Sequence, residues 1–160
     1  MPGLLFGGLL GGLTALTLVA LNYLAFQWAG LPRISFSLFD WLARVTPGGI
    51  ITFMIDTMVM VITRLNLGPT STVAKQVEQG LAILLFLMIG VVFGVALAAI
   101  GRRWAGRLPG YGLLGGLLLA VPFLLIQASL RFPSAGPAWS IFWIIVTSMV
   151  WGWVLAPLIQ

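Results

Sequence analysis

Residues 80–100 read GLAILLFLMIGVVFGVALAAI, from Gly80 to Ile100, without one charged or histidine side chain. A helix rising ~1.5 Å per residue needs about this length to cross ~30 Å of hydrocarbon. Working outward, residues 4–28, 111–130 and 138–159 have the same character and also lack Lys, Arg, Asp, Glu and His. Strands of a membrane barrel alternate apolar and polar residues, whereas these runs are apolar on every face, so each is expected to be a spanning helix. The expected fold is an all-α integral membrane protein, a bundle of four transmembrane helices, or five if the segment between the first two also crosses. Residues 1–160 are expected to form a single transmembrane helical domain.

Composition agrees. The chain is 61% hydrophobic and 7% charged, with a mean hydropathy of +1.14, far from the roughly 25% charged residues of soluble domains. Eight Lys and Arg face three acids, Asp40, Asp56 and Glu78. Those cations fall in short loops, the pattern of membrane topology with phospholipid as partner; nucleic acid is not expected. There is no Cys and no His, which excludes disulfides, thiolate or imidazole zinc sites, iron–sulfur clusters and His-ligated haem within this chain. No cofactor is expected. Residues 1–3 lack the basic region of a secretory signal, so the first run is read as a retained helix.

Between the first two spans, residues 37–67 are expected to make an interfacial or re-entrant excursion. Ser37 can cap a short helix over 37–45, with Asp40 three residues on as in a capping box and Leu38, Phe39, Leu42 and Val45 on one face. Asp40 and Arg44 lie on the other. Pro47-Gly48-Gly49 breaks it, and the apolar segment 50–62 has thirteen residues, short of a full crossing. A turn at Leu67-Gly68-Pro69 and a polar helical lead-in over 70–79, with Lys75 and Glu78 at i and i+3, precede the span at 80–100. The loop carrying Arg102, Arg103 and Arg107 has the densest charge near helix ends. It is therefore placed in the cytoplasm, with Gln160 on the same side of a bacterial cytoplasmic (inner) membrane, and its arginines are candidate lipid headgroup contacts.

Candidate functional residues are few. Gly7/Gly11, Gly8/Gly12, Gly90/Gly94 and Gly112/Gly116 let helix backbones approach closely, either inside the bundle or against a partner chain. The hexapeptide at 8–13 recurs at 112–117, by duplication or by coincidence in a Gly- and Leu-rich chain. Asp56 is the lone acid within an apolar segment, a polar membrane site for proton transfer or an interfacial carboxylate paired with Arg64 or Arg44. Met54, Met58 and Met60 read as core fillers, with thioether ligation of Cu(I) the alternative. Trp139 suits a headgroup interface, and Trp143, Trp151 and Trp153 are candidate contacts for lipid, pigment, quinone or a neighbouring subunit.

Phe39-Asp40-Trp41-Leu42-Ala43-Arg44, Pro47-Gly48-Gly49, Phe53-Met54-Ile55-Asp56 and Thr72-Val73-Ala74-Lys75 before a Gly-rich helix carry a resemblance across about residues 30–100. This region resembles the N-terminal membrane part of bacterial, Chloroflexi-type, molybdopterin-dependent oxidoreductases of the sulfite oxidase class. In that family the helices precede a soluble molybdenum domain. The sequence to Gln160 holds no such domain and no Cys to ligate molybdenum, so the resemblance implies an anchor-like membrane module and carries over no catalytic residue.

Two functional expectations follow. The first is a non-catalytic membrane subunit, not an enzyme, of a bacterial respiratory or photosynthetic electron-transfer complex, packed against larger subunits, phospholipid and quinone. The alternative is a small transporter or channel, for which Thr14, Thr17, Asn22, Gln27, Gln127, Ser129, Ser140, Thr147 and Ser148 are the polar groups in the spans able to line a path.

Overall fold

A computed structural model describes residues 3–66, 68–104, 108–130 and 134–159, with the backbone alone at 103 and 104. The described residues form six helices: α1 (Leu4–Ala29), α2 (Ile34–Val45), α3 (Gly48–Arg64), α4 (Thr70–Trp104), α5 (Leu108–Ser129) and α6 (Gly136–Leu158). α1, α4, α5 and α6 are each long and apolar enough to cross a membrane, and α2 with α3 form a pair bent by 117°. The chain is thus an all-α, multi-pass membrane protein.

Local chemistry sets the breaks. α1 closes on Gly30, left-handed at φ 61°, whose N–H donates to the Phe26 carbonyl at 2.9 Å; Pro32 then cannot continue a helix. α2 begins at Ile34, three residues before the expected cap. Ser37 does not cap it, and its hydroxyl instead donates to the Gln127 side-chain oxygen of α5 at 3.0 Å. The capping-box role expected of Asp40 lapses with it, while Asp40 pairs with Arg44 at 3.0 Å as the i,i+4 spacing requires. The α2–α3 elbow is confined to Thr46 and Pro47. Thr46 is extended at ψ 133° because a following proline disfavours the helical region, and Gly48 and Gly49 are already inside α3. The lead-in and the span at 80–100 are one continuous helix of 35 residues.

α1 and α4 run antiparallel: Gly7 meets Gly94 and Ala98, while Gly11 meets Gly90 and Gly94. α5 and α6 form a second antiparallel pair, in which Gly112 meets Gly152 and Ala156, and Gly116 meets Ser148. A methyl built on Gly90 would lie 2.5 Å from the Gly11 carbonyl oxygen, and one on Gly112 2.7 Å from the Ala156 methyl. Lipid supplies no hydrophobic drive between helices, so such close backbone contact is what holds them together. The two pairs are joined by rings: Trp151 of α6 stacks on Phe86 of α4 at 5.7 Å and tilts against Phe93 at 5.2 Å, and Phe86 meets Phe123 of α5 at 5.9 Å.

The repeated hexapeptide does not take equivalent places. Gly11 faces the α4 backbone, but its counterpart Gly115 faces the Phe93 ring, and it is Gly116, counterpart of Gly12, that meets α6. Because α1 leaves and α4 returns antiparallel to it, residues 30–69 begin and end at one end of the bundle. The α2–α3 pair is therefore an excursion from that end, and the four long apolar helices are the ones able to cross.

Candidate functional site

At that end of the bundle α2 lies over α1, α4 and α5 and encloses an open cavity of about 720 Å³. Its charged lining comes from Arg33, Asp40, Arg44, Lys75 and Glu78, and its neutral polar lining from Ser37, Gln127 and Ser129. Arg44 pairs with Asp40, and Lys75 pairs with Glu78 at 3.0 Å, each within its own helix. Arg33 is different. Its guanidinium carbon sits 4.2 Å from the Phe26 ring centre and 4.7 Å from that of Phe36, and among the described residues it has no carboxylate partner. Two ring faces hold one cation in a fixed place without neutralising it.

A second, apolar groove of about 480 Å³ runs between α3 and the first turns of α4, lined by Ile51, Met54, Ile55 and Met58 on one side and by Ala74, Val77 and Leu81 on the other. Phe39, Lys75 and Glu78 line both spaces, so the polar cavity and the apolar groove adjoin. α3 buries only Ile62. Asp56 stands exposed on α3 and makes no ion pair among the described residues. The expected pairing with Arg44 or Arg64 is not formed, Arg44 being taken by Asp40. Thr52 and Thr63 share the Asp56 face at helical spacing, which gives α3 a polar stripe opposite its groove. Met60 is exposed and does not line the groove with Met54 and Met58, so the three thioethers do not converge.

A third space, an apolar groove of about 450 Å³ between α1 and α6, is lined by Leu18, Leu21, Val146, Val150 and Val154, with Trp143 and Trp151 at its floor. Trp143 donates to the Asn22 side-chain oxygen at 2.8 Å, and Trp151, 4% exposed, donates to the Thr14 hydroxyl at 2.9 Å. Both rings are bound within the chain.

Gly90, Gly94, Gly112 and Gly116 are likewise buried inside the bundle, so these faces are already occupied by α1 and α6 and are closed to a partner helix. Trp153 is exposed, as is Trp139. Arg102 is exposed at the opposite end of the bundle from Arg33. The Arg103 side chain, Arg107, Arg131 and Gln160 lie outside the described residues. Sequence reading passed over Arg33 and its two rings, although a cation flanked at three residues' distance by Phe36 is visible; the Phe26 contact and the shared cavity are not. Comparison with family models, with curated proteins and with solved structures returned no match.

Proposed function

We propose that this chain is a non-catalytic integral subunit of a larger membrane assembly, working through contacts with other membrane proteins and lipid. The observation that carries this reading is α3, whose 17 residues bury Ile62 alone while its Ile50, Phe53 and Met60, and Leu65 just beyond its end, stand half exposed or more. α3 lies beside the polar first turns of α4, ahead of the uncharged stretch 80–100. A neighbouring subunit covers these apolar side chains.

Inside the bundle most of the candidate polar groups are engaged: Asn22 and Thr14 accept from tryptophans across the α1–α6 contact, Thr147 and Ser140 donate back to the Trp143 and Gly136 carbonyls of their own helix, and among the described residues the Ser148 hydroxyl is the buried side-chain group left without a partner. A transport path needs polar groups free to exchange partners with a cargo, so this pattern favours the subunit reading over a transporter. The electron-transfer setting rests on the resemblance of residues 30–100. In that setting the α1–α6 groove is where a quinone tail or lipid chain lies, the membrane is the bacterial cytoplasmic (inner) membrane, and the Arg102 end and the C-terminus face the cytoplasm.

Extraction of native membranes in mild detergent, followed by native mass analysis, tests the proposal. Comigration with redox-active subunits is expected, and Phe53→Ser with Met60→Ser is expected to release the chain. A native chain that runs free, or a double variant that stays in the complex, would overturn it.

A further inference from the structure

We propose that the cavity and groove under the α2–α3 elbow form a specific binding site for one glycerophospholipid, its phosphodiester on Arg33 and an acyl chain in the α3–α4 groove. Three observations meet here. Arg33 is a fixed guanidinium held between two rings with no carboxylate among the described residues, and a phosphate oxygen pair is the partner a planar guanidinium fits best. The other cations of the cavity are already balanced by Asp40 and Glu78, so among the described residues the lining carries one unmatched positive charge, enough for one phosphodiester.

The polar cavity also adjoins an apolar groove through Phe39, Lys75 and Glu78. A free phosphate ion has no use for that groove; a lipid does. From the groove, Val77, Leu81, Leu84 and Met88, all exposed, follow one another at helical spacing down α4. This stripe covers about 16 Å of helix and leads from the charged end into the hydrocarbon-spanning part of α4, the direction an acyl chain takes below its headgroup.

The site stands on this geometry alone, whichever assembly the chain joins. Failure of the lipid test leaves the subunit proposal in place, and the reverse holds. The full chain, purified in mild detergent, is exchanged into phosphatidylglycerol, phosphatidylethanolamine or a phosphate-free glucosyl diacylglycerol and read by native mass analysis. One retained phospholipid per chain is expected with the first two and none with the glycolipid. Arg33→Gln should lower retention at least fivefold, while Arg64→Gln, a charge-matched change outside the cavity, leaves it unchanged. Equal retention by Arg33→Gln and the native chain overturns the proposal. So does inorganic phosphate that displaces the lipid at millimolar concentration, which would mark a plain anion site. A measurement on the unmutated chain guards against misfolding: phosphatidylglycerol with a photoreactive acyl chain should crosslink to Met54, Met58, Leu81 or Leu84. Labelling no stronger there than on the exposed Leu118 and Leu125 of α5 sinks the acyl assignment.

Discussion

Trp143 on α6 and Asn22 on α1 are 121 residues apart in sequence, yet the indole N–H donates to the amide oxygen across 2.8 Å. Asn22 is 2% exposed and its amide nitrogen donates to the Leu18 carbonyl at 2.8 Å, so its donor and its acceptor are both engaged. In hydrocarbon an unpaired amide has no water to turn to, which makes this link a register pin between the first and last spans.

The pin has a measurable strength. A double-mutant cycle with Asn22→Leu and Trp143→Phe, read by unfolding in mixed micelles, should give a coupling of about 0.6 kcal/mol and no more than about 1.7 kcal/mol, the mean and maximum for interhelical hydrogen bonds in membrane proteins. Additive effects of the two changes would show that the bond contributes no stability.

Glycine substitutions should sort by what lies opposite. Gly90→Ala and Gly116→Ala drive a methyl into the facing backbone and should each cost about 1–3 kcal/mol. Gly80, with nothing within 4 Å, should accept Ala with no loss and a gain of up to about 1 kcal/mol from helix propensity. Equal behaviour of the three variants in a thermal unfolding series would contradict the packing described above.

Topology is open to chemical labelling. Single cysteines replacing Arg33, Arg64 and Lys75 should react with an impermeant reagent from one side of sealed vesicles, and a cysteine at Arg102 from the other. Arg64 labelling from the side opposite Arg33 would mean that α3 crosses.

Asp56→Asn should leave insertion intact and change stability by no more than about 0.5 kcal/mol, as for an exposed side chain without a partner. Loss of assembly function in a chain that still inserts would move Asp56 from the exposed polar stripe of α3 into a proton-handling role.

Much of the architecture is legible along the chain. Three of the four spans were readable to within about three residues, and the fourth lies inside a helix that begins at its expected polar lead-in; the Asp40–Arg44 and Lys75–Glu78 pairs were readable too, because each depends on neighbours three or four positions apart on one helix. The start of α2 was misread for a related reason. Ser37 has the right chemistry for a cap, but its hydroxyl found Gln127, ninety residues away, and no local pattern announces such a partner. Gly152, which completes the α5–α6 contact, was missed and Ser148 was read as a path-lining group rather than a packing one, because one glycine and one serine among Trp, Val and Ile do not stand out as a motif.

The sequence by itself determined that this chain lives in a membrane, which four stretches are long and apolar enough to cross it and where the break between α2 and α3 falls. Those are properties of length, of summed side-chain polarity and of a single proline, and they need no knowledge of any neighbour. Only the tertiary structure decided that the glycine faces close on α1 and α6, that Trp143 and Trp151 point inward, and that Arg33 shares a cavity with Lys75. A spanning helix that is apolar on every side has no face marked in its sequence for the core. Its rotation is set by where backbones approach most closely and where a buried polar group finds its partner, and both are decided by the other helices.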